Sequence, residues 1–156
     1  MSRAEDPEQL RSAWLLAAQY DSHVMAECWV TGAEYTAAVL GREALPLIRL
    51  DTPHDFYDYD AKYVADDTSY LIPCGLDGES ERRLQSLALA AFDAVGASGW
   101  GRVDILMDQD QQPWLIEINT VPGMTGHSLV PMAARAVGVD FDELVWRILA
   151  QTLEAC

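Results

Sequence analysis

Four polar side chains that could do chemistry lie on two short, otherwise apolar segments. Arg102 and Asp104 belong to RVDILM, Glu117 and Asn119 belong to WLIEIN, and the turn-prone DQDQQP separates the two segments. β-Branched, aromatic and aliphatic residues favour strands, so this pattern predicts a β-hairpin. Because side chains alternate faces along a strand, a register that sets Asp104 opposite Glu117 brings all four to one face.

Opposed carboxylates on this hairpin would repel each other, because directly opposed residues have Cβ atoms only about 4.5–5.5 Å apart. A divalent cation would relieve that repulsion. Asp104, Glu117 and Asn119 offer two carboxylates and an amide oxygen, a donor set that suits Mg²⁺ beside substrate phosphates. The alternative is a surface hairpin with solvated charges, since acidic residues on edge strands are common. The spacing of the three residues alone leaves both hypotheses open.

The loop that follows Asn119 favours the ligand-binding hypothesis. It reads TVPGMTGHS and contains two glycines and a proline. Residues of these types allow the backbone to turn sharply and to approach a ligand closely. We therefore expect a ligand-facing loop at the end of the hairpin.

The segments GRVDILMD and LIEINTVPGMTGHSLVPMAA resemble the carboxy-terminal signature of the D-alanine-D-alanine ligase family, within the ATP-grasp superfamily. The resemblance extends through VMAECWVTGAEYTAAVLG, ALPLIRL and FYDYDAKYVADDTSYLIPCGL, which is nearly the whole chain. The D…E-x-N triplet by itself indicates only an ATP-grasp protein. The motif PGMT-x-HSL together with YDYDAKY is typical of the ligase that joins two D-alanines.

The resemblance implies an α+β fold, the ATP-grasp carboxy-terminal domain, in which a mostly antiparallel sheet is flanked by helices. Family members are much longer than this chain. We therefore expect residues 1–156 to be an ATP-grasp domain truncated at its amino-terminal side, without the amino-terminal domain and the loop that covers the phosphates.

The sequence pattern also predicts the elements that position the hairpin. Asp6, Pro7 and Gln9 are placed to begin a helix with one buried face, and apolar residues at helical spacing predict further helices over 78–96, 128–137 and 140–155. Strand-like stretches at 23–30, 34–40 and 44–50 predict a three-stranded meander. We expect five or more strands in all, with the helices at 78–96 and 140–155 packed on one side.

Composition bounds the remaining possibilities. The chain has 156 residues, half of them hydrophobic, so it can bury one core and we expect a single domain. A formal charge of −15 argues against nucleic-acid and anionic-membrane partners. Three cysteines without metal-site spacing predict reduced thiols. No apolar run reaches about 18 residues and no secretory leader is evident, so we expect a cytoplasmic protein.

The resemblance assigns nucleotide contacts to two carboxylates in the strand-like stretches. The residues that match the family's adenine pocket are Glu27, Cys28, Trp29 and Val30, with Glu27 accepting from the exocyclic amine and backbone groups bonding the purine edge. Glu34 would bond the ribose hydroxyls. From residue types alone, the alternative that both carboxylates face water is favoured.

Residues 51–73 show no clear periodicity and predict a long loop, of a length that is usually either functional or disordered, and this loop contains the only lysine of the chain. Lys62 is suited to a nucleotide phosphate. By resemblance, Tyr63 orients the D-alanine site and favours D-alanine over D-lactate as the second substrate.

By resemblance, the chemistry is transfer of the γ-phosphate of ATP to a D-alanine carboxylate, followed by attack of a second D-alanine on the acyl phosphate. Glu117 would bridge two Mg²⁺ (or Mn²⁺) ions, with Asp104 completing one metal site and Asn119 the other. Arg102 and the Gly123 backbone N–H would stabilise the oxyanion.

The remaining substrate contacts follow from the same resemblance. Ser128 and Leu129 would bind the carboxylate of the second D-alanine, and the full-length form would be a homodimer. Two alternatives stay open, namely another ATP-grasp carboxylate-amine ligase and a non-catalytic ligase fragment. We expect this chain alone to be inactive.

Overall fold

The computed structural model describes residues 1–51 and 68–154. The chain falls into two compact units, Met1–Val30 and Thr31–Cys156, and each is described by itself. Throughout the described ranges, every helix is too short or too polar to cross a lipid bilayer.

The first unit contains helix α1, Pro7–Ala17. The carboxylate of Asp6 accepts from the backbone N–H of Gln9 at 2.8 Å, as predicted, but the Gln9 side chain accepts from the N–H of Glu5 instead of Asp6. The predicted buried face of α1 is wrong, because none of its residues is buried.

The predicted strand over 23–30 is wrong as well, since these residues form no strand. A strand needs a hydrogen-bonding neighbour, and the next segment, Gly32–Leu40, already has a partner on each side, Ile48–Asp51 and Trp100–Asp108. The expected meander of 23–30, 34–40 and 44–50 is therefore replaced by a different strand order.

The second unit is built on a six-stranded antiparallel sheet with the order β4-β3-β1-β5-β6, and β2 pairs with β1. Its strands are β1 Gly32–Leu40, β2 Glu43–Ala44, β3 Ile48–Asp51, β4 Ser69–Leu71, β5 Trp100–Asp108 and β6 Pro113–Asn119. The stretch predicted as one strand over 44–50 is divided between β2 and β3. Pro46 lies in the gap and cannot donate a ladder hydrogen bond.

Helix α2, Gly78–Ala94, covers one face of this sheet. Asp77 caps it by accepting from the N–H groups of Glu79 and Ser80, both at 2.9 Å. Its buried residues pack against side chains from the odd-numbered positions of β1 and β5; this core comprises Leu84, Ala88, Phe92, Tyr35, Ala37, Val39, Val103 and Ile105, among others.

Helices α3, Leu129–Ala136, and α4, Phe141–Glu154, belong to a second core on the opposite face. That core includes Ala38 and Ile48 from the sheet, Val130 from α3 and Leu144 from α4. The prediction that the helices at 78–96 and 140–155 share one side is therefore wrong. Both faces of the sheet are apolar along much of their length, so each needs its own helical cover.

Candidate active site

The hairpin predicted from the sequence is confirmed, together with its register. Asp104 on β5 lies opposite Glu117 on β6, and Arg102 lies opposite Asn119. The register shifts just beyond Asp104, so that Ile105 faces Leu115 and β6 carries one extra residue. Such bulges re-aim side chains next to functional sites. Here the bulge allows Glu117 to face Asp104 while Leu115 faces the apolar Ile105.

Asp104 is the buried centre of this polar group. Its Oδ1 accepts from Arg102 Nε at 2.8 Å and from Thr36 Oγ1 at 2.6 Å, and its Oδ2 accepts from Arg102 Nη2 at 2.8 Å and from Asn119 Nδ2 at 3.3 Å. Only 5% of the Asp104 side chain and 14% of the Arg102 side chain are exposed. A two-pronged guanidinium-carboxylate contact of this kind is strong and fixes the relative orientation of both groups.

Glu117 is the more open of the two carboxylates, with 43% of its side chain exposed. Its Oε1 accepts from Asn119 Nδ2 at 3.1 Å and lies 3.7 Å from Arg102 Nη2. Arg102 therefore contacts both acidic side chains and offsets the repulsion between them. Relief of this repulsion consequently does not require a metal ion. Whether a metal ion fits here depends on the oxygen donors of Asp104, Glu117 and Asn119.

Those donors fit a hydrated divalent cation. Within residues 1–51 and 68–154 no three His, Cys, Asp or Glu side chains gather into a metal-binding group, so the donor set is limited to two carboxylates and an amide. Mg²⁺ accepts such a set because it retains several waters and takes further ligands from phosphates. Glu117 is the accessible donor, whereas Asp104 would have to exchange one of its hydrogen bonds for a metal contact.

Gly123 and Ser128, two further site residues predicted from the sequence, lie close together in the loop after β6. Ser128 Oγ accepts from the backbone N–H of Thr125 at 2.9 Å and also bonds Thr125 Oγ1 at 2.9 Å. A side-chain carbon at Gly123 would lie 3.1 Å from that same Ser128 Oγ. Gly123 thus allows a close approach between its own backbone and Ser128. Leu129, next in the chain, is the first residue of α3 and is buried in the second core.

Residues 1–150 match the family model described as D-ala D-ala ligase C-terminus. The chain belongs to the D-alanine-D-alanine ligase family. A D-alanine-D-alanine ligase from Methylococcus capsulatus is 62% identical over 149 residues, which make up 96% of this chain and 48% of that relative. The chain therefore spans about half the length of this curated ligase.

Solved structures of ligases share the fold. The D-alanine-D-alanine ligase from Bacillus anthracis complexed with ATP superposes with a TM-score of 0.83 at 29% identity, covering 96% of this chain and 48% of that one. A D-Ala:D-Ser ligase from Enterococcus faecalis gives a TM-score of 0.80 at 29% identity, covering 93% and 43%. The predicted α+β fold of the ATP-grasp carboxy-terminal domain is thereby confirmed.

The residues that the ligase family resemblance assigns to the adenine pocket lie in the first unit. Glu27, Cys28 and Trp29 are exposed, Val30 is half-buried, and none belongs to a helix or strand. The Arg3 guanidinium lies 4.6 Å from the centre of the Trp29 ring, a cation-π contact.

Glu34 lies in the second unit, on the same face of β1 as Thr36. It is half-buried and is paired with Leu50 on one side and Leu106 on the other. The sheet register therefore places Glu34 two residue pairs along from the Thr36–Asp104 pair, on the same face of the sheet. Lys62 and Tyr63, the remaining ligase residues predicted from the sequence, lie outside the described residues.

Tyr35 and Cys74, also in the second unit, have raised pKa values, but they lie on the opposite face of the sheet from Asp104. Burial raises the pKa of the Tyr35 phenol and of the Cys74 thiol. Both side chains are part of the core under α2. Cys74 and Cys28 are free thiols, as predicted. A buried thiol that resists ionisation is a packing residue, because the thiolate is the reactive form.

Sequence reasoning missed Thr36. A threonine in AEYTAAVL resembles any other β-branched strand residue, so its type gives no functional signal. Its position held a clue, because Thr36 is two residues from Glu34 and must share a strand face with it. Only the pairing of β1 with β5 reveals that its hydroxyl reaches Asp104.

Proposed function

We propose that this chain is the ATP-binding and metal-binding part of a ligase that joins two D-alanines for peptidoglycan synthesis. The observation that carries the proposal is the buried Arg102–Asp104 pair beside the half-exposed Glu117, on a hairpin within a family-matched chain. The γ-phosphate of ATP would pass to the carboxylate of the first D-alanine. The amine of the second D-alanine would then attack the acyl carbon, and phosphate would leave.

The chain's own residues have distinct tasks in this reaction. Glu117, Asp104 and Asn119 would hold two Mg²⁺ or Mn²⁺ ions, which when bound neutralise phosphate charge. Arg102 has its orientation fixed by Asp104, so its positive charge is in place before the oxyanion of the acyl transfer develops. The Gly123 N–H would add a neutral donor to the same oxyanion.

The remaining contacts are proposed from the same family match. Glu27, Cys28, Trp29 and Val30 would hold the adenine, Glu34 the ribose and Lys62 a phosphate. Tyr63, Ser128 and Leu129 would bind D-alanine, with Ser128 already held in the loop by Thr125. We further propose that the chain is one part of a longer cytoplasmic ligase that acts as a homodimer, and that its partners are small molecules instead of nucleic acid or membrane.

Calorimetric titration of the chain with ATP tests this proposal directly. We expect binding that strengthens when Mg²⁺ is present, and we expect Glu117→Gln to remove that Mg²⁺ effect. Glu143→Gln is the matched control, because Glu143 is similarly exposed, pairs with Arg147 in α4 and lies outside the hairpin. Absence of any Mg²⁺-dependent ATP binding would favour a non-catalytic fragment. Loss of the Mg²⁺ effect in Glu143→Gln would show that the effect is not specific to the hairpin.

The acceptor substrate is tested in a complete ligase that contains this chain. We expect ADP release to be stimulated by D-alanine alone. Stimulation that required D-serine or D-lactate would indicate a different acceptor, and no stimulation by any of the three would indicate another ATP-grasp ligase.

A further inference from the structure

Thr36 is a buried hydroxyl in the middle of an otherwise apolar stretch of β1. Its neighbours Tyr35, Ala37, Ala38 and Val39 are all buried, and Thr36 itself is 1% exposed. A buried hydroxyl without a hydrogen-bond partner is destabilising, so one at this position must be satisfied by a specific neighbour. That neighbour is Asp104.

The contact between the two side chains is short and comes directly from the sheet register. Thr36 and Asp104 are opposed across β1 and β5, and Thr36 Oγ1 donates to Asp104 Oδ1 at 2.6 Å. This length is typical of a hydroxyl bonded to an ionised carboxylate, which is stronger than a bond between neutral groups. Thr36 therefore holds Asp104 from the strand on the far side of the hairpin.

This contact matters because it ties Asp104 to a neighbouring strand, whereas the Arg102–Asp104 contact lies within β5. Both residues lie on β5, so their two-pronged contact fixes each relative to the other, and the Thr36 bond adds a fixed point on β1. The bond from Asn119 on β6 is longer, at 3.3 Å. With donors from β1 and β6 on its two oxygens, the Asp104 carboxylate is fixed, and the plane of the Arg102 guanidinium is fixed with it.

We propose that Thr36 is a positioning residue of the ligase site: its hydroxyl locks Asp104 and, through Asp104, sets the plane in which Arg102 presents its charge beside Glu117. The functional meaning of that plane rests on the proposed function, since a misplaced charge stabilises an oxyanion poorly. The positioning itself is a property of the chain and can be measured without turnover.

The Nε–H of Arg102 is the direct reporter, because it donates to the same Asp104 oxygen as Thr36. In a ¹H–¹⁵N spectrum of the full chain, its signal is assigned as the one lost in Arg102→Lys. We expect Thr36→Val to speed the exchange of this proton with water at least about 10-fold, because a looser pair opens more often. Thr36→Ser keeps the hydroxyl and should restore slow exchange.

Thr152→Val is the matched control, because it also removes a hydroxyl, one that bonds Leu149 O on the exposed side of α4. It should leave the Arg102 proton unchanged. If Thr36→Val proves unfolded, the comparison becomes Thr36→Ser against Thr36→Ala, with slow exchange expected only for Ser. Unchanged exchange in a folded Thr36→Val, or equal exchange in Ser and Ala, would overturn the proposal.

Failure of the proposed function is distinguishable from failure of this inference. Titration of the wild-type chain with Mg²⁺-ATP decides the function, whereas the Arg102 proton is read in the ligand-free chain. Suppose that the wild-type chain binds no Mg²⁺-ATP, while exchange of the Arg102 proton is fast in Thr36→Val and slow in Thr36→Ser. This result would reject the ligase assignment and still support Thr36 as the residue that positions Arg102.

Discussion

Arg102 offsets the repulsion between two opposed acidic side chains, Asp104 and Glu117. It makes a two-pronged contact with the buried Asp104 and lies 3.7 Å from the half-exposed Glu117. The two carboxylates therefore differ in environment although they face each other across one hairpin. Asp104 depends on Arg102 for its burial, while Glu117 keeps much of its solvent contact. Substitution of each carboxylate by its amide should accordingly have very different effects.

Glu117→Gln should change the stability of the metal-free chain by about 1 kcal/mol or less in either direction, because a half-exposed ion pair is weak. The change removes one negative charge and leaves the Arg102–Asp104 pair intact. Urea unfolding with EDTA present measures this effect, with Glu143→Gln as the exposed control. A loss well beyond 1 kcal/mol would mean that Arg102 holds Glu117 much more tightly than 3.7 Å implies.

Asp104→Asn should destabilise the chain by about 3–5 kcal/mol, because it removes the closest counter-charge of the largely buried Arg102. Urea unfolding of the same set of variants measures the loss. The double variant Arg102→Gln with Asp104→Asn should be less destabilised than the sum of the two single variants, since the pair forms one unit. Strict additivity would show that the two side chains do not depend on each other.

At the scale of elements, local signals were read correctly from the sequence. The β5–β6 hairpin follows from two apolar segments around a polar turn, and the observed register is the one that gathers its four polar side chains on one face. The cap at Asp6 is likewise local, because its carboxylate accepts from the backbone N–H of Gln9, three residues away.

The errors concern contacts between elements distant in sequence. A strand-like composition at 23–30 does not provide a neighbour to pair with, and both edges of β1 are taken by β3 and β5. The sequence of an amphipathic helix shows that one side of the helix is buried, but not which face of the sheet it covers. For this reason α2 and α4 were predicted on the same side of the sheet, although they cover opposite faces. Thr36 was missed for the same reason, since its role depends on the pairing of β1 with β5.

Gly101 on β5 lies tightly against both α2 and β6. A side-chain carbon there would lie 2.5 Å from the Phe92 ring and 2.8 Å from the backbone oxygen of Asn119. Gly101→Ala should therefore destabilise the chain by about 1–3 kcal/mol through overpacking. Gly126→Ala is the control, because nothing lies within 4 Å of a carbon added there. Thermal melts compare Gly101→Ala with Gly126→Ala. Equal melting temperatures would show that α2 and β6 can shift to accommodate the added carbon without loss of stability.

The turn of the hairpin should respond to pH through Asp108. Its carboxylate accepts from Trp114 Nε1 and from the N–H groups of Gln112 and Asp110, and these bonds, the Trp114 bond foremost, lower its pKa. A lowered pKa in the folded state means stabilisation that is present above the ordinary aspartate range. That stabilisation is lost as pH falls through the lowered value.

Trp114 fluorescence recorded between about pH 7 and pH 2 tests this dependence, since Asp108 contacts the indole directly. We expect an acid transition that disappears in Asp108→Asn, where no charge remains to titrate. Asp110→Asn is the control in the same turn and should keep the transition. An acid transition that persists in Asp108→Asn would mean that another carboxylate is the titrating group.

At the scale of the molecule, the described part of the second unit is a sheet with a hydrophobic core on each face. A formal charge of −15 over all 156 residues sets a strong negative field around the chain. Anionic ATP must approach against that field, so neutralising cations should aid its binding, and the effect should grow as salt is reduced. The local positive charge of Arg102 is already committed to its acidic neighbours.

This chain by itself should be a weak nucleotide binder without ligase activity. Because it spans about half the length of its curated relative, we expect it to bind Mg²⁺-ATP weakly and to form no dipeptide. A nucleotide present at only a few times its dissociation constant raises folding stability by about 1 kcal/mol or less, so the melting temperature should rise only slightly. Thermal melts with Mg²⁺-ATP measure this rise, and Glu117→Gln should reduce it.

Turnover is measured in parallel as phosphate released from ATP by the purified chain, with and without D-alanine. We expect no D-alanine-dependent release, because acyl transfer needs both amino acids held against the nucleotide in reacting geometry. The same assay on the full-length Methylococcus capsulatus ligase, 62% identical over the shared residues, is the positive control. Robust D-alanine-dependent release from this chain alone would mean that its 156 residues already provide both substrate sites.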